Sequence, residues 1–243
     1  MAATLIVVLR HGKREDSANP GWLQTARYPW DTPLVAGDRD AYISEAATQL
    51  QKHGVAGFDA VYVSPFLRTA ERLLLALGQR DVPVLVHKAL SEVHDPGLLF
   101  RARAPSLAQR ARLWLWRSTY NRHSRPQRQC FARKARVLPG SWPTVPESER
   151  EAGKRYRAVI MQLAALHPGQ QVLFVSHGNS VQVAHEALRC PGRVQQVAFC
   201  GYVAGRSQAP PPEGGPAAGW AAFEGLCRHG VDTLQSEPGE GYG

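Results

Sequence analysis

The chain has 243 residues, of which 44% are hydrophobic, and a formal net charge of +9. That size suits one α/β domain with room for an insertion, and the apolar share suffices for a sizeable core. No apolar run approaches the roughly 18 residues that a spanning helix needs, which excludes one by length alone. Four cysteines, Cys130, Cys190, Cys200 and Cys227, show no CxxC spacing, so free thiols in a reducing cytoplasm are expected rather than a disulfide or zinc framework.

The first apolar run, Thr4 to Leu9, reads as a buried strand and stops abruptly at Arg10-His11-Gly12-Lys13-Arg14. In open α/β sheets ligands sit outside the carboxyl ends of the strands, so Arg10 and His11 would lie there. Residues 13 to 40 are rich in Pro, Gly and charge and read as a long loop. A helix follows from about Asp40 to His53, with Ile43, Ala46, Ala47 and Leu50 facing the sheet and Gly54 ending it. A second strand, Ala60 to Val63, ends in Ser64-Pro65-Phe66-Leu67-Arg68. A helix from Thr69 to Leu77 would put Arg68 beside free N–H groups that favour an anion. The run Val82 to Val86 leads to Leu90-Ser91-Glu92.

Residues 96 to 146 hold eleven cations, among them Arg122, Arg125, Arg128 and Arg133, and no acidic residue, so the rest of the chain is near −2. Leu107, Ala111 and Trp114 have helical spacing, which predicts an amphipathic helix from Ser106 to Tyr120. This basic insertion reads either as a cover over a site or as a solvated arginine-rich loop. Ser148 with Glu151 is a capping-box pattern opening a long helix, whose buried stripe is Tyr156, Val159, Ile160, Leu163 and Leu166 and which stops at His167-Pro168-Gly169. A further apolar run, Gln170 to Ser176, ends in Ser176-His177-Gly178 and a helix start. Beyond Ala204 the chain turns Pro- and Gly-rich, with one strand-like piece around Trp220 to Leu226 and a polar tail.

Two histidines, two arginines and a carboxylate at the ends of widely separated strands would meet only in a site. In this order, the Arg-His-Gly strand end, Ser-Pro-x-x-Arg, Leu-Ser-Glu and Ser-His-Gly resemble the histidine phosphatase superfamily, which includes phosphoglycerate mutases. The resemblance covers about residues 4 to 205. Arg10-His11-Gly12-x-Arg14-x-Asp16 is most similar to the Sts/TULA-type phosphatases. Mutases instead resemble Arg-His-Gly-x-Ser/Thr-x-x-Asn, and Ser17 stands where that asparagine would be.

The resemblance implies a mostly parallel central sheet with helices on both faces and a basic insertion over the active site. It implies one phosphatase domain over residues 1–205, followed by a partly disordered segment over 206–243. His11 would be the nucleophile and Glu92 the proton donor, with Asp95 the competing carboxylate. Arg10, Arg14, Arg68 and His177 would neutralise phosphate oxygens, because a dianionic ester repels nucleophiles until its charge is met. Glu147 is a peripheral candidate that doubles as part of a helix cap. No cofactor and no metal are expected. The partner expected is a phosphomonoester, with an acidic partner for the basic insertion and neither membrane nor nucleic acid, and a homodimer is compatible with the sequence. The readings carried forward are a phosphohistidine-forming phosphatase, a mutase-like phosphotransferase and a catalytically silent phosphate-binding scaffold.

Overall fold

The computed structural model describes residues 3–26, 28–35, 39–66, 82–95, 99, 106–123, 135–207 and 219–234. Arg68, the Thr69–Leu77 stretch, Arg101, Arg103, Arg125, Arg128, Arg133, Lys134, Cys130 and the side chain of Arg122 lie outside the described residues.

Seven strands form one sheet: β1 Leu5–Arg10, β2 Ala60–Val63, β3 Val84–Val86, β4 Ala135–Val137, β5 Gln171–Ser176, β6 Arg193–Ser207 and β7 Phe223–Leu234. Their order is β4-β3-β2-β5-β1-β6-β7. The pairings from β4 through β1 are parallel, and those of β6 with β1 and β7 are antiparallel. Among the described residues the helices are α1 Glu15–Ala18, α2 Trp22–Thr25, α3 Arg39–Lys52, α4 Leu107–His123, α5 Glu149–Ala164 and α6 Gly178–Ala187, beside short 3-10 turns such as Lys88–Leu90.

The continuous apolar character of β1 follows from burial on both faces. Leu5, Val7 and Leu9 join Ile43, Ala46, Ala47 and Leu50 of α3 on one side. Ile6 and Val8 meet Tyr156, Val159, Ile160 and Leu163 of α5 and Val181 and Ala184 of α6 on the other. A strand whose alternating side chains enter two cores has no polar face, which is why it cannot show the alternation of a half-exposed strand. Truncating a side chain such as Leu50, which is 0% exposed, would remove about 2–5 kcal/mol.

Helix α5 begins as its sequence predicts. The Ser148 side chain accepts from the Glu151 N–H, and the Glu151 carboxylate accepts from the Ser148 N–H at 2.8 Å. Leu166, expected on the buried stripe, is 66% exposed because the helix ends at Ala164. Gly54 takes a φ of +76° after α3, the left-handed geometry that ends a helix cheaply only with glycine.

Helix α4 forms, but its buried face differs from the expected one. Leu107 and Trp114 are exposed, whereas Leu113 and Trp116 are buried. Aromatic packing decides this: Trp116 stacks on Phe66 at 5.5 Å and meets Trp142 at 5.2 Å and Trp30 at 6.2 Å. Strand β6 has no counterpart in the sequence expectations, and the strand-like piece around Trp220 to Leu226 opens as a 3-10 turn, Trp220–Ala222, before β7, which pairs along β6.

His94 lies under this aromatic layer, 6.4 Å from Phe66 and 6.1 Å from Trp142, with Nε2 3.1 Å from Ser91 Oγ. Burial, aided by Arg117 and Arg155, holds its titration down to about 3 from 6.5. As pH falls, the unfolded chain therefore takes up this proton before the folded one does. The stability contributed by the neutral ring is complete above pH 6.5 and is lost as pH falls toward about 3. His94→Phe is expected to cost about 1 kcal/mol near neutrality, through the lost Ser91 bond, and to flatten the acid slope. Urea midpoints followed down through that window check it; parallel slopes for the two proteins would contradict the assignment.

Candidate active site

The parallel register brings the strand ends together. Arg10 is directly opposite Ser176, and the His11 N–H donates to Ser176 O at 3.0 Å. On the other side of β5, the Ser64 N–H donates to Val175 O at 2.9 Å, and the His87 N–H donates to Val63 O at 3.0 Å. His11, Ser64, His177 and the turn leading to Glu92 thus leave the sheet at one edge.

His11 is 2% exposed, and its Nδ1 lies 2.7 Å from the Gly12 carbonyl oxygen. A carbonyl can only accept, so Nδ1 carries the proton and Nε2 keeps its lone pair. His177 occupies the position just before α6, with its ring 5.2 Å from that of His11 and edge-on to it. His177 Nε2 is 2.9 Å from Ser64 Oγ, and His177 Nδ1 is 3.0 Å from Glu92 Oε2. This second approach is a short polar contact that becomes an ion pair when the imidazole is protonated. Phe66 stands edge-on to His177 at 5.7 Å, so the Trp116 stack ties α4 to the site through one ring.

Arg10 donates through Nη1 to Val197 O, and its guanidinium carbon lies 4.4 Å over the Phe199 ring. Its Nε is buried with no hydrogen-bond partner among the described residues. Burial lowers the Arg10 titration first, Glu92 raises it and Arg14 lowers it again. An arginine remains charged under such shifts, so its buried unpaired N–H is a donor suited to an anion. Arg14 forms a two-pronged pair with the carboxylate of Asp16, with Nε to Oδ1 at 2.7 Å. It nevertheless lines the same cleft of about 360 Å³ as Arg10, His11, Ser17, Glu92 and Asn179.

Glu92 is held from below. Arg155 makes a bidentate pair with Glu147, both contacts 2.7 Å, and its Nη1 donates to Ala89 O at 2.6 Å and Ser91 O at 3.1 Å. Tyr156 Oη donates to Ser91 O at 2.6 Å, and the His94 N–H donates to Glu147 Oε2 at 3.1 Å. Burial, the largest single influence, lowers the Arg155 titration, but Glu147 and Tyr156 together outweigh it and the net direction is upward. Glu147 therefore lies away from the cleft and braces the segment on both sides of Glu92.

The structure brings together His11, Glu92, His177, Arg10 and Arg14, while Arg68 lies outside the described residues. Ser64, Phe199, the Val197 carbonyl and Arg155, the partner of the peripheral candidate Glu147, were not read from the sequence as site parts. Ser64 carried a signal, being the first residue of the Ser-Pro-x-x-Arg motif. Phe199 carried none, because it lies in a bulge of an unrecognised strand. The candidate ligand atoms of His11, Glu92 and His177 lie within 4.8 Å of one another, a spacing compatible with a phosphoryl group or a cation.

That bulge depends on glycine. The β6–β7 register shifts between Val197 and Tyr202, Cys200 adopts a φ of +58°, and a Cβ on Gly201 would lie 2.6 Å from Gly230 O and 2.9 Å from Ala198 O. Gly201→Ala is expected to displace Phe199 and the Val197 carbonyl from Arg10, and to lower kcat/KM at least tenfold, about 1.4 kcal/mol of transition-state stabilisation. Steady-state kinetics beside a melting curve check it; unchanged kinetics in a folded variant would detach the bulge from the site.

A family model for the histidine phosphatase superfamily (branch 1) matches residues 6–193. Among solved structures, a phosphoglycerate mutase from Bacillus anthracis str. Sterne superposes with a TM-score of 0.56 at 18% identity, covering 96% of this chain and 93% of that one. A mycobacterial glucosyl-3-phosphoglycerate phosphatase gives 0.51 at 19% identity, covering 96% and 98%. The ecdysone phosphate phosphatase from Bombix mori, in complex with tungstate, gives 0.53 at 17% identity, covering 98% of each chain. These likenesses show a shared fold, and the match over residues 6–193 shows that the chain belongs to the histidine phosphatase superfamily.

Proposed function

We propose that the protein is a metal-independent phosphomonoester hydrolase that works through a phosphohistidine on His11. The observation that carries this is the 2.7 Å contact of His11 Nδ1 with the Gly12 carbonyl, which leaves Nε2 as the nucleophile in a cleft shared with Arg10 and Glu92. The Nε2 lone pair attacks phosphorus, the P–O ester bond breaks, and protonated Glu92 gives its proton to the departing oxygen. Glu92 then takes a proton from water, the resulting hydroxide attacks phosphorus, and the P–N bond breaks to release phosphate and restore His11. Arg10, Arg14, His177 and, beyond the described residues, Arg68 neutralise the phosphoryl oxygens.

The Arg10-His11-Gly12-x-Arg14-x-Asp16 pattern supports a kinship with the Sts/TULA-type phosphatases, and with it a phosphotyrosine protein or a small phosphate ester as substrate. Ser17 lines the cleft where the mutase-like pattern has asparagine, which favours hydrolysis over transfer to a second acceptor. Free Cys190, Cys200 and Cys227 support a cytoplasmic setting. No described helix is long and apolar enough to cross a membrane. Arg110, Arg112 and Arg136 of the basic stretch are exposed, which keeps an acidic partner within the proposal.

His11→Ala is expected to lower turnover of an aryl phosphate by several orders of magnitude, and rapid quench of the unaltered protein should trap an acid-labile, base-stable phosphoenzyme. Undiminished activity in that variant would sink the mechanism. Chelators are expected to leave turnover unchanged.

Glu92→Gln is expected to depress kcat/KM for alkyl phosphates far more than for activated aryl phosphates, because only poor leaving groups need the proton. Using kcat/KM confines the comparison to steps up to phosphoenzyme formation. A leaving-group dependence that appears in Asp95→Asn instead would transfer the acid role to Asp95.

A further inference from the structure

The side chains that meet at the strand ends carry a second chemistry. The ligand atoms offered by His11, Glu92 and His177 lie within 4.8 Å of one another. Both histidines are buried, and the Glu92 side chain is 14% exposed. Two imidazoles and one carboxylate are a donor set that suits zinc, whereas magnesium and calcium take oxygen ligands.

The ring nitrogens are already sorted for such an ion. A metal-binding imidazole gives one nitrogen to the ion and the N–H of the other to an acceptor, which fixes its tautomer and its direction. His11 has this arrangement, with Nδ1–H on the Gly12 carbonyl at 2.7 Å and the lone pair on Nε2. In His177, Nε2 is 2.9 Å from Ser64 Oγ and Nδ1 is 3.0 Å from Glu92 Oε2. When Nε2–H donates to Ser64, the Nδ1 lone pair lies on the Glu92 side. Ser64 Oγ also accepts from the Phe66 N–H at 3.3 Å, so the acceptor is itself held. Ligand atoms around a tetrahedral zinc stand about 3.3 Å apart, given bonds of about 2.0–2.1 Å. The His177–Glu92 edge is already that short, and no other edge exceeds 4.8 Å.

We infer that His11 Nε2, His177 Nδ1 and the Glu92 carboxylate form an inhibitory zinc site whose fourth position opens to the cleft. Zinc there occupies the lone pair that attacks phosphorus and the carboxylate that serves the leaving oxygen, so the zinc form is inactive. Arg10 lines the same cleft and opposes a further cation, while Arg14 is already paired with Asp16. That opposition makes the ion a reversible inhibitor and not a structural part of the fold. The binding rests on the geometry alone, and the inhibition rests on the phosphatase reading.

Titration calorimetry of zinc into the full chain, first stripped with a chelator, measures the binding, and p-nitrophenyl phosphate turnover measures its effect. Turnover is expected to fall in step with zinc occupancy and to return when chelator is added, and magnesium at the same concentration should change nothing. Ser64→Ala should weaken zinc about tenfold to a hundredfold, the usual loss when the partner behind a ligating histidine is removed, and Glu92→Gln and His11→Ala should weaken it further. The triple variant Cys130→Ser/Cys190→Ser/Cys227→Ser should bind as the unaltered protein does, which separates this site from capture by thiols. Melting curves establish that each variant folds, and His177→Gln replaces any that does not. Absent binding, affinity that persists in folded Glu92→Gln and Ser64→Ala, or undiminished turnover at full occupancy overturns the inference. If the zinc-free protein hydrolyses no ester while the calorimetric losses appear as expected, the phosphatase reading fails and the zinc site stands.

Discussion

Everything in the site depends on the parallel pairing of β1 with β5. Because Arg10 faces Ser176 across that ladder, the residues after each strand leave the sheet side by side, and His11 and His177 meet although 166 positions separate them. A slip of one residue would turn Val7 and Leu9 out of one core and Ile6 and Val8 out of the other, so two cores jointly fix the register. The positions of the histidines are thus enforced by hydrophobic burial far larger than any energy available within the site itself.

The remaining side chains are held by polar supports of different kinds. Glu92 follows a short strand and a single 3-10 turn, which cannot fix a carboxylate alone. Arg155 supplies the rigidity by binding Glu147 with one edge of its guanidinium and backbone carbonyls beside Glu92 with the remaining N–H. A lysine could not satisfy that fork of acceptors at once. Arg10 is held instead by a carbonyl and an aromatic face from the bulge of β6, on the wall of the cleft.

Much of this was legible in the sequence where the signal was local. Unbroken apolar runs marked β1, β2 and β5, and the polar endings of β1 and β5 marked His11 and His177, because a polar side chain at the end of a doubly buried strand is placed by the strand. The capping box at Ser148 and Glu151 was legible for the same reason, since both partners lie within one turn. The bulge carrying Phe199 was not, because the run Arg193 to Ser207 mixes Gln, Gly and Arg with apolar residues and pairs antiparallel at the side of the sheet. The buried face of α4 was misread because its spacing offers two apolar stripes. Only the rings contributed by Phe66, Trp30 and Trp142, remote in sequence, select Trp116 over Trp114.

The electrostatics of the cleft give the proposed acid its timing. Arg10 and Glu92 line the same cleft, Glu92 touches His177, and Arg14 is already paired with Asp16. Without substrate, the Glu92 carboxylate is the counterion nearest in effect to Arg10, whose titration it raises. In the proposed cycle a dianionic phosphate would take over this role on arrival and stand next to Glu92 as a like charge, and like charges in contact favour the protonated form of a carboxylate. Under that proposal the binding event that delivers the ester would also supply the protonated acid that the leaving oxygen needs, and release of phosphate would leave Glu92 beside Arg10 and His177 again.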